Sequence, residues 1–224
     1  MRILGIDTST RFLCIALYDS GKLYEFTLET GPKLSSLLGV SIKRVLDAAG
    51  LALSDIDYFA CGVGPGSFTG MRIGIATMQG ISSALKKPVV GISSLDLLAK
   101  NASREEGCIV PAIDAKRGLI YSAIYKNKNG ALIRSSPYLL LTIEELAKKI
   151  KGKAVLLGDA AGLYRSKILS NIRGVKILDR DYWYFKPHNI IRLSLGTPHL
   201  KLKPVYLYAK ECQIKQTKKF KDAK

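Results

Sequence analysis

Histidine is almost missing from this chain of 224 residues: His188 and His199 are the only two. That leaves too few imidazoles for a histidine-built metal site, and no spacing of Ser, His and Asp supplies a triad with its general base. Cysteine is thin as well. Cys14, Cys61, Cys108 and Cys212 lie far apart with no C-x-x-C pair. Cys14 and Cys61 fall inside apolar runs, so they read as reduced core thiols. Long hydrophobic runs are absent too, since residues 3–17 are interrupted at Asp7, short of the roughly 18 apolar residues of a spanning helix. Arg2 leads straight into a strand pattern with no small-residue cleavage site. Neither signal peptide nor membrane association is expected, and the chain reads as cytoplasmic.

Acidic residues are the third scarcity. Eighteen Asp and Glu face 35 Lys and Arg, a net charge of +17. The imbalance is uneven: residues 1–100 carry ten basic and eight acidic side chains, residues 101–224 carry 25 and ten. The excess ends in a tail with Lys215, Lys218, Lys219, Lys221 and Lys224. Such a field attracts polyanions, nucleic acid first, although scattered lysines equally suit a solvated surface. With 47% hydrophobic and 24% charged residues, the chain has the composition of a folded core and not of a disordered one.

Apolar alternation places strands at residues 3–7, 12–18 and 23–30, the last two joined by the hairpin-like Asp19-Ser20-Gly21-Lys22. Leu34, Leu37, Leu38, Ile42, Val45, Leu46 and Ala49 recur at helical spacing up to Gly50. A short strand at 58–63, a glycine-rich segment at 64–70, a helix over 71–85, a strand at 89–92 and a helix from Ser93 or Ser94 to about Asn101 follow. A charged turn at 104–107 divides the chain into a first subdomain (1–103), a basic second subdomain (104–212) and a tail (213–224). The second subdomain reads as strands at 109–114, 119–125 and 131–141, a capping box at Thr142-Ile143-Glu144-Glu145, a strand at 155–157, a helix over 160–169 and a strand at 175–178. Residues 181–204 read as irregular. Both halves share the order strand-strand-strand-helix-strand-helix, which predicts a duplicated α/β unit with a mixed sheet in each.

Three segments have the residue types for chemistry. Gly5-Ile6-Asp7-Thr8-Ser9-Thr10 ends the first strand; an acid followed by small hydroxyls suits either a phosphate loop or an ordinary polar turn. Gly62-Val63-Gly64-Pro65-Gly66-Ser67-Phe68-Thr69-Gly70-Met71-Arg72-Ile73-Gly74 joins a strand to a helix, a favourable place for an anion, yet fits neither a Walker A loop nor G-x-G-x-x-G. Gly70 and Gly74, then Ala76, Gly80 and Ala84, are four apart. This stripe serves close approach either by a partner helix or by the chain's own sheet. Ile113-Asp114-Ala115-Lys116-Arg117-Gly118 is a charged hairpin, and Gly158-Asp159-Ala160-Ala161-Gly162 is a weak second acidic loop. No nucleophile, base or metal cluster stands out.

Taken together, Ile6-Asp7-Thr8-Ser9-Thr10, the segment from Gly64 to Gly74, Ile113 to Gly118 with Tyr121, and Pro204-Val205-Tyr206-Leu207-Tyr208 closely resemble the TsaB family, also called YeaZ. The resemblance covers most of the chain and is weakest over 159–204. It implies an actin/hexokinase/Hsp70-like fold of two ribonuclease-H-like halves. It also implies a non-catalytic subunit in threonylcarbamoyladenosine synthesis at position 37 of tRNA, acting by binding the catalytic relative TsaD and working with TsaE. That relative has an H-x-x-x-H metal motif with no counterpart here. The resemblance further implies a homodimer when TsaD is absent and tRNA contact through the complex. No cofactor is expected for the chain alone, with ATP or ADP only within the complex. Asp7, Thr8, Ser9, Gly64, Gly66 and Ser67 would be remnants of nucleotide loops. The first two helices would form the partner surface, with Leu34, Leu38, Ser41, Ile42, Val45, Gly70, Met71, Gly74, Ile75 and Met78 as contacts. The chain departs from the family pattern with Leu34-Ser35 where His-Ser is common and with Val40 where Pro is usual. An ATP-dependent phosphotransferase of the same superfold and a free-standing basic RNA-binding protein are the alternatives.

Overall fold

The computed structural model describes residues 1–128, 131–196 and 202–208. Its twelve strands are β1 (Arg2–Asp7), β2 (Phe12–Asp19), β3 (Lys22–Glu29), β4 (Tyr58–Gly62), β5 (Val89–Ile92), β6 (Cys108–Lys116), β7 (Leu119–Ser122), β8 (Tyr125–Lys128), β9 (Ala131–Arg134), β10 (Leu139–Leu141), β11 (Ala154–Leu157) and β12 (Val175–Ile177). Its helices are α1 (Leu34–Ala49), α2 (Phe68–Leu85), α3 (Ser94–Asn101), α4 (Ile143–Ala147), α5 (Asp159–Leu163), α6 (Arg165–Asn171) and α7 (His188–Ser194).

The first sheet has the order β3-β2-β1-β4-β5, antiparallel as far as β1 and parallel from there on. The second repeats it as β10-β7-β6-β11-β12, with the same change of sense at its central strand. This is the expected duplicated unit, and it gives the two ribonuclease-H-like halves of the actin-like fold. Both faces of both sheets are covered, which is why β1 and β2 read as nearly unbroken apolar runs. Leu4, Ile6, Leu13, Ile15 and Leu17 point to α1 and α2, while Ile3, Cys14 and Ala16 point the other way. That second face meets α7, which packs against α3, and α3 lies on the inner face of the second sheet, so one continuous core joins the halves. A third cluster lies between the second sheet and α4 to α6.

Local sequence explains the helix ends. Gly50 closes α1 in the left-handed region, Ser67 caps α2 and Ser93 caps α3. Thr142 and Glu145 form the expected capping box. Four sequence expectations are corrected. The strand read at 119–125 is two, β7 and β8. That at 131–141 is also two, β9 and β10, broken where Ser136 Oγ takes up the Ile124 amide at 2.9 Å and Pro137 offers no donor. The β8–β9 hairpin pairs with the beginning of β6, next to β7. The helix read at 160–169 is interrupted at Tyr164. The largest correction is α7, in the stretch read as irregular. Seven residues behind Pro187 give too short a period to detect, yet Ile190 and Ile191 are buried under the first sheet. Residues 103 and 104 lie in the turn between α3 and β6, but α3 contacts the second sheet and α7 the first, so the helices interlock across that point.

Two further devices fasten the halves. Asp96 of α3 accepts from Tyr125 Oη at 2.5 Å and Tyr138 Oη at 2.9 Å. Residues 202–208 then run across both halves. Leu202 enters the first core, Val205 N donates to Val63 O at 2.8 Å, and Tyr208 Oη donates to Ala115 O at 2.6 Å. Cys14, Cys61 and Cys108 are free thiols, and burial holds the first two well above the ordinary thiol pKa. Cys212, His199 and the tail fall outside the described residues.

The glycines of α2 separate into two kinds. A Cβ at Gly74 would overlap Thr8 Oγ1, whereas one at Gly80 would meet open space. Gly74→Leu should therefore lower stability by about 2–3 kcal/mol through overpacking, read as a lower urea midpoint with unchanged slope; an unchanged midpoint would show that α2 does not press on the β1 turn.

Candidate functional site

The parallel strands β1 and β4 end side by side, and α2 starts above them, the position at which open α/β sheets hold ligands. Asp7 closes β1 here. Its Oδ1 accepts from Ser9 N at 2.7 Å and Ser9 Oγ at 2.8 Å, and its Oδ2 accepts from Ser94 Oγ at 2.9 Å. The loop before α2 is laid over this turn. Ser67 N donates to Ser9 O at 2.6 Å, and Thr8 Oγ1 donates to Gly70 O at 2.8 Å. A Cβ at Gly62 would overlap the Asp7 carboxylate, one at Gly66 the Ser9 carbonyl, and one at Gly70 the Thr8 carbonyl. Gly64 holds φ +89° beside a cis peptide to Pro65. The motif is glycine-rich because a packed turn occupies the space that side chains would fill.

Asp7 and Thr8, expected as remnants of a nucleotide loop, are enclosed by this geometry. Both are completely buried, Ser9 is 1% exposed, and the Asp7 oxygens are taken up inside the protein. Burial pushes the Asp7 carboxyl above its usual pKa, against the hydrogen bonds from Ser9 and Ser94. Gly64 is also buried; of the six expected loop residues, Ser9, Gly66 and Ser67 reach the cleft described below.

The ten residues expected at the partner surface lie inward instead. Leu34, Leu38, Ser41, Ile42, Val45, Gly70, Met71, Gly74, Ile75 and Met78 are, with Leu46, the buried residues of α1 and α2. Apolar periodicity identifies a helix face but not whether it meets its own core or another chain. The opposite face carries Ser36, Gly39, Val40 and Lys43 on α1 and Arg72, Ala76, Gly80 and Ala84 on α2, all exposed. Val40 is 54% exposed. A shallow groove of about 350 Å³ runs between the helices, lined by Gly39, Ile42, Leu46, Thr77 and Ile81.

A larger cleft, about 1100 Å³, opens between the two halves. Its first wall is the Ser9–Arg11 turn with Ser67, Phe68 and Tyr184, the last held by Arg11 and Phe12; its second is the hairpin from Asp114 to Arg117, with Asp159 and Trp183. Residues 205–208 close one side. The hairpin turns through three left-handed residues, Lys116, Arg117 and Gly118. Lys116 Nζ lies 2.6 Å from Asp114 Oδ2, and this contact raises the lysine pKa. Asp159 Oδ1 accepts the Asp114 amide at 3.0 Å, and burial raises its pKa. Sequence reasoning named Asp114 and Asp159 but missed Trp183 and Tyr184, whose aromatic run at 182–185 carries no spacing rule. Among the described residues, no group of three His, Cys, Asp or Glu side chains is arranged to hold a metal ion, and no helix is long and apolar enough to cross a membrane.

Residues 29–158 match the family model of TsaD, tRNA N6-adenosine threonylcarbamoyltransferase. The TsaB protein of Escherichia coli K12, a tRNA threonylcarbamoyladenosine biosynthesis protein, is 34% identical over 165 residues, covering 70% of this chain and 71% of its own length. The TsaB of Bacillus subtilis 168 is 30% identical, with 79% and 78% covered. The chain belongs to the TsaB family. A solved structure of YeaZ from Pseudomonas aeruginosa superposes on it with a TM-score of 0.78 at 28% identity, covering 92% of this chain and 99% of that one. As a TsaB-family protein it thus has its signature glycine loop folded onto the β1 turn.

The Asp7 carboxyl offers a direct test. Because its folded pKa is raised, ionising it costs stability between the ordinary carboxylate value near 3.8 and the higher folded value. Asn at this position does not ionise. The stability of Asp7→Asn minus that of the parent chain should rise with pH across that window and then level off, as read from denaturant titrations between acid and neutral pH. A difference that falls with pH would mean that the hydrogen bonds outweigh burial.

Proposed function

We propose that this chain is the non-catalytic subunit of a threonylcarbamoyl transferase acting on adenosine 37 of tRNA, and that it works by binding TsaD through the outer faces of α1 and α2. The observation that carries the reading is the sealed β1 turn. In a phosphotransferase of this fold class, the acid at the end of the first strand must face a phosphate and its metal; here Asp7 is enclosed by Ser9, Ser94 and Gly62. The energy of the glycine motif goes into holding α2 rigidly, which favours a scaffold over a catalyst.

The outer faces suit such a role. They carry small and apolar residues, Gly39, Val40, Ala76 and Gly80, with a groove between the helices. Small side chains let helices from another subunit approach closely, and close packing of an apolar centre is what makes an interface stable. The same face would serve a second copy of the chain when TsaD is absent. TsaE and tRNA then enter through the assembled complex.

Reconstitution tests the role: unmodified tRNA, threonylcarbamoyl-AMP, TsaD and TsaE are combined with and without this chain. Threonylcarbamoyladenosine is expected only when the chain is present, and equal product without it would reject the reading. The surface is tested by Gly80→Leu. The substituted helix position is open and leucine favours helix over glycine by up to about 1 kcal/mol, so folding stability should hold or rise while affinity for TsaD drops at least about tenfold, or 1.4 kcal/mol. Unchanged affinity would place the partner elsewhere.

A further inference from the structure

We propose that the cleft between the two halves receives an unpaired stretch of RNA, with a base stacked on Trp183 and phosphates on Arg117 and Arg180. The proposal deepens the reading above and rests on it, since a tRNA-modifying assembly supplies the polyanion.

The aromatic surfaces in the cleft are fixed in advance. Trp183 Nε1 donates to Leu178 O at 2.9 Å, and the indole packs so closely on Gly162 that a Cβ there would overlap it. The ring is half-buried and lines the cleft. Beside it, the Tyr184 ring lies 4.5 Å from that of Phe12, and its hydroxyl accepts from the Arg11 guanidinium at 2.8 Å. Across the cleft, Tyr206 lies 5.2 Å from Phe68. Immobilised rings accept any base face without further ordering cost, the usual platform for single strands.

The charges fit the same occupant. Arg117 sits at the tip of its hairpin and Arg180 in the short turn just before Trp183; both are exposed and line the cleft, and neither has an ion-pair partner among the described residues. The two acids of the lining are engaged: Asp114 is paired with Lys116, and the half-buried Asp159 accepts the Asp114 amide through Oδ1. From Tyr208 on the cleft wall the sequence continues for sixteen residues with six lysines and two acids. A free nucleoside triphosphate fits less well, because the β1 turn and glycine loop that would cradle its phosphates are packed against each other. Two cations at separate points of the cleft edge suit successive phosphates of a chain.

Trp183 is the only tryptophan in the protein, so its fluorescence reports on this cleft alone. The full-length chain is titrated with an unmodified tRNA transcript, with single-stranded oligoadenylate and, separately, with ATP. Expected are saturable quenching by both RNAs, no quenching by ATP at the same concentrations, and an affinity that weakens steeply with salt. The double variant Arg117→Glu, Arg180→Glu should lose at least about tenfold in RNA affinity, with an unchanged circular dichroism spectrum and unchanged co-elution with TsaD. Quenching by ATP would make this a small-nucleotide site. RNA retained in a gel shift without quenching would place it elsewhere, and no RNA binding would remove it altogether. Each result overturns the proposal. The reconstitution separates the two readings: if synthesis requires the chain while the double variant binds RNA normally, the cleft alone fails; if synthesis does not require the chain, the subunit role fails.

Discussion

Four missing side chains set the architecture. At Gly62, Gly66, Gly70 and Gly74 the backbone comes so close to residues 7–9 that no Cβ fits. Each helical glycine costs up to about 1 kcal/mol relative to alanine, a cost offset by burying Asp7, Thr8 and Ser9 with their hydrogen bonds satisfied. The same contact ties three elements together, because Ser94 at the start of α3 completes the Asp7 network. From there α3 reaches the second sheet, so the turn at the end of β1 is linked to the packing between the halves.

That contact also fixes which surfaces remain for partners. With Gly70, Gly74 and most large apolar residues turned inward, α1 and α2 expose mainly small, polar or charged side chains, with Val40 and Phe68 the large apolar exceptions. The cleft is left bordered by aromatic rings and arginines, with Asp114 and Asp159 held by Lys116 and by the Asp114 amide. The outer helix faces and the cleft thus remain open to solvent, while the β1 turn between the strands and α2 is closed.

The sequence made the first sheet legible down to strand ends within one or two residues, because β1, β2, β4 and β5 are continuous apolar runs bounded by Gly, Asp and Pro. The duplicated order was equally visible. Less legible was everything that depends on which side of an element faces what. Leu38, Ile42, Gly74 and Met78 have the spacing of a contact face whether the contact is internal or external, and only their burial, with Thr8 against Gly74, decides it. Asp7 followed by two hydroxyl residues reads as a phosphate loop until Ser94, 87 residues away, is seen to fill its second oxygen. The helix α7 and the ring of Trp183 were hidden for the opposite reason: short, proline-flanked segments carry no period.

The central claim is that the β1 turn and the glycine loop are a closed structural unit. Hydrogen exchange of the full-length chain tests it most directly at the amides of Ser9, Ser67, Gly70 and Met71, each of which is hydrogen-bonded within that unit. Expected is exchange as slow as in the core strands, unchanged by ATP with magnesium. Fast exchange, or new protection on adding the nucleotide, would show an open loop that holds phosphate and would contradict it.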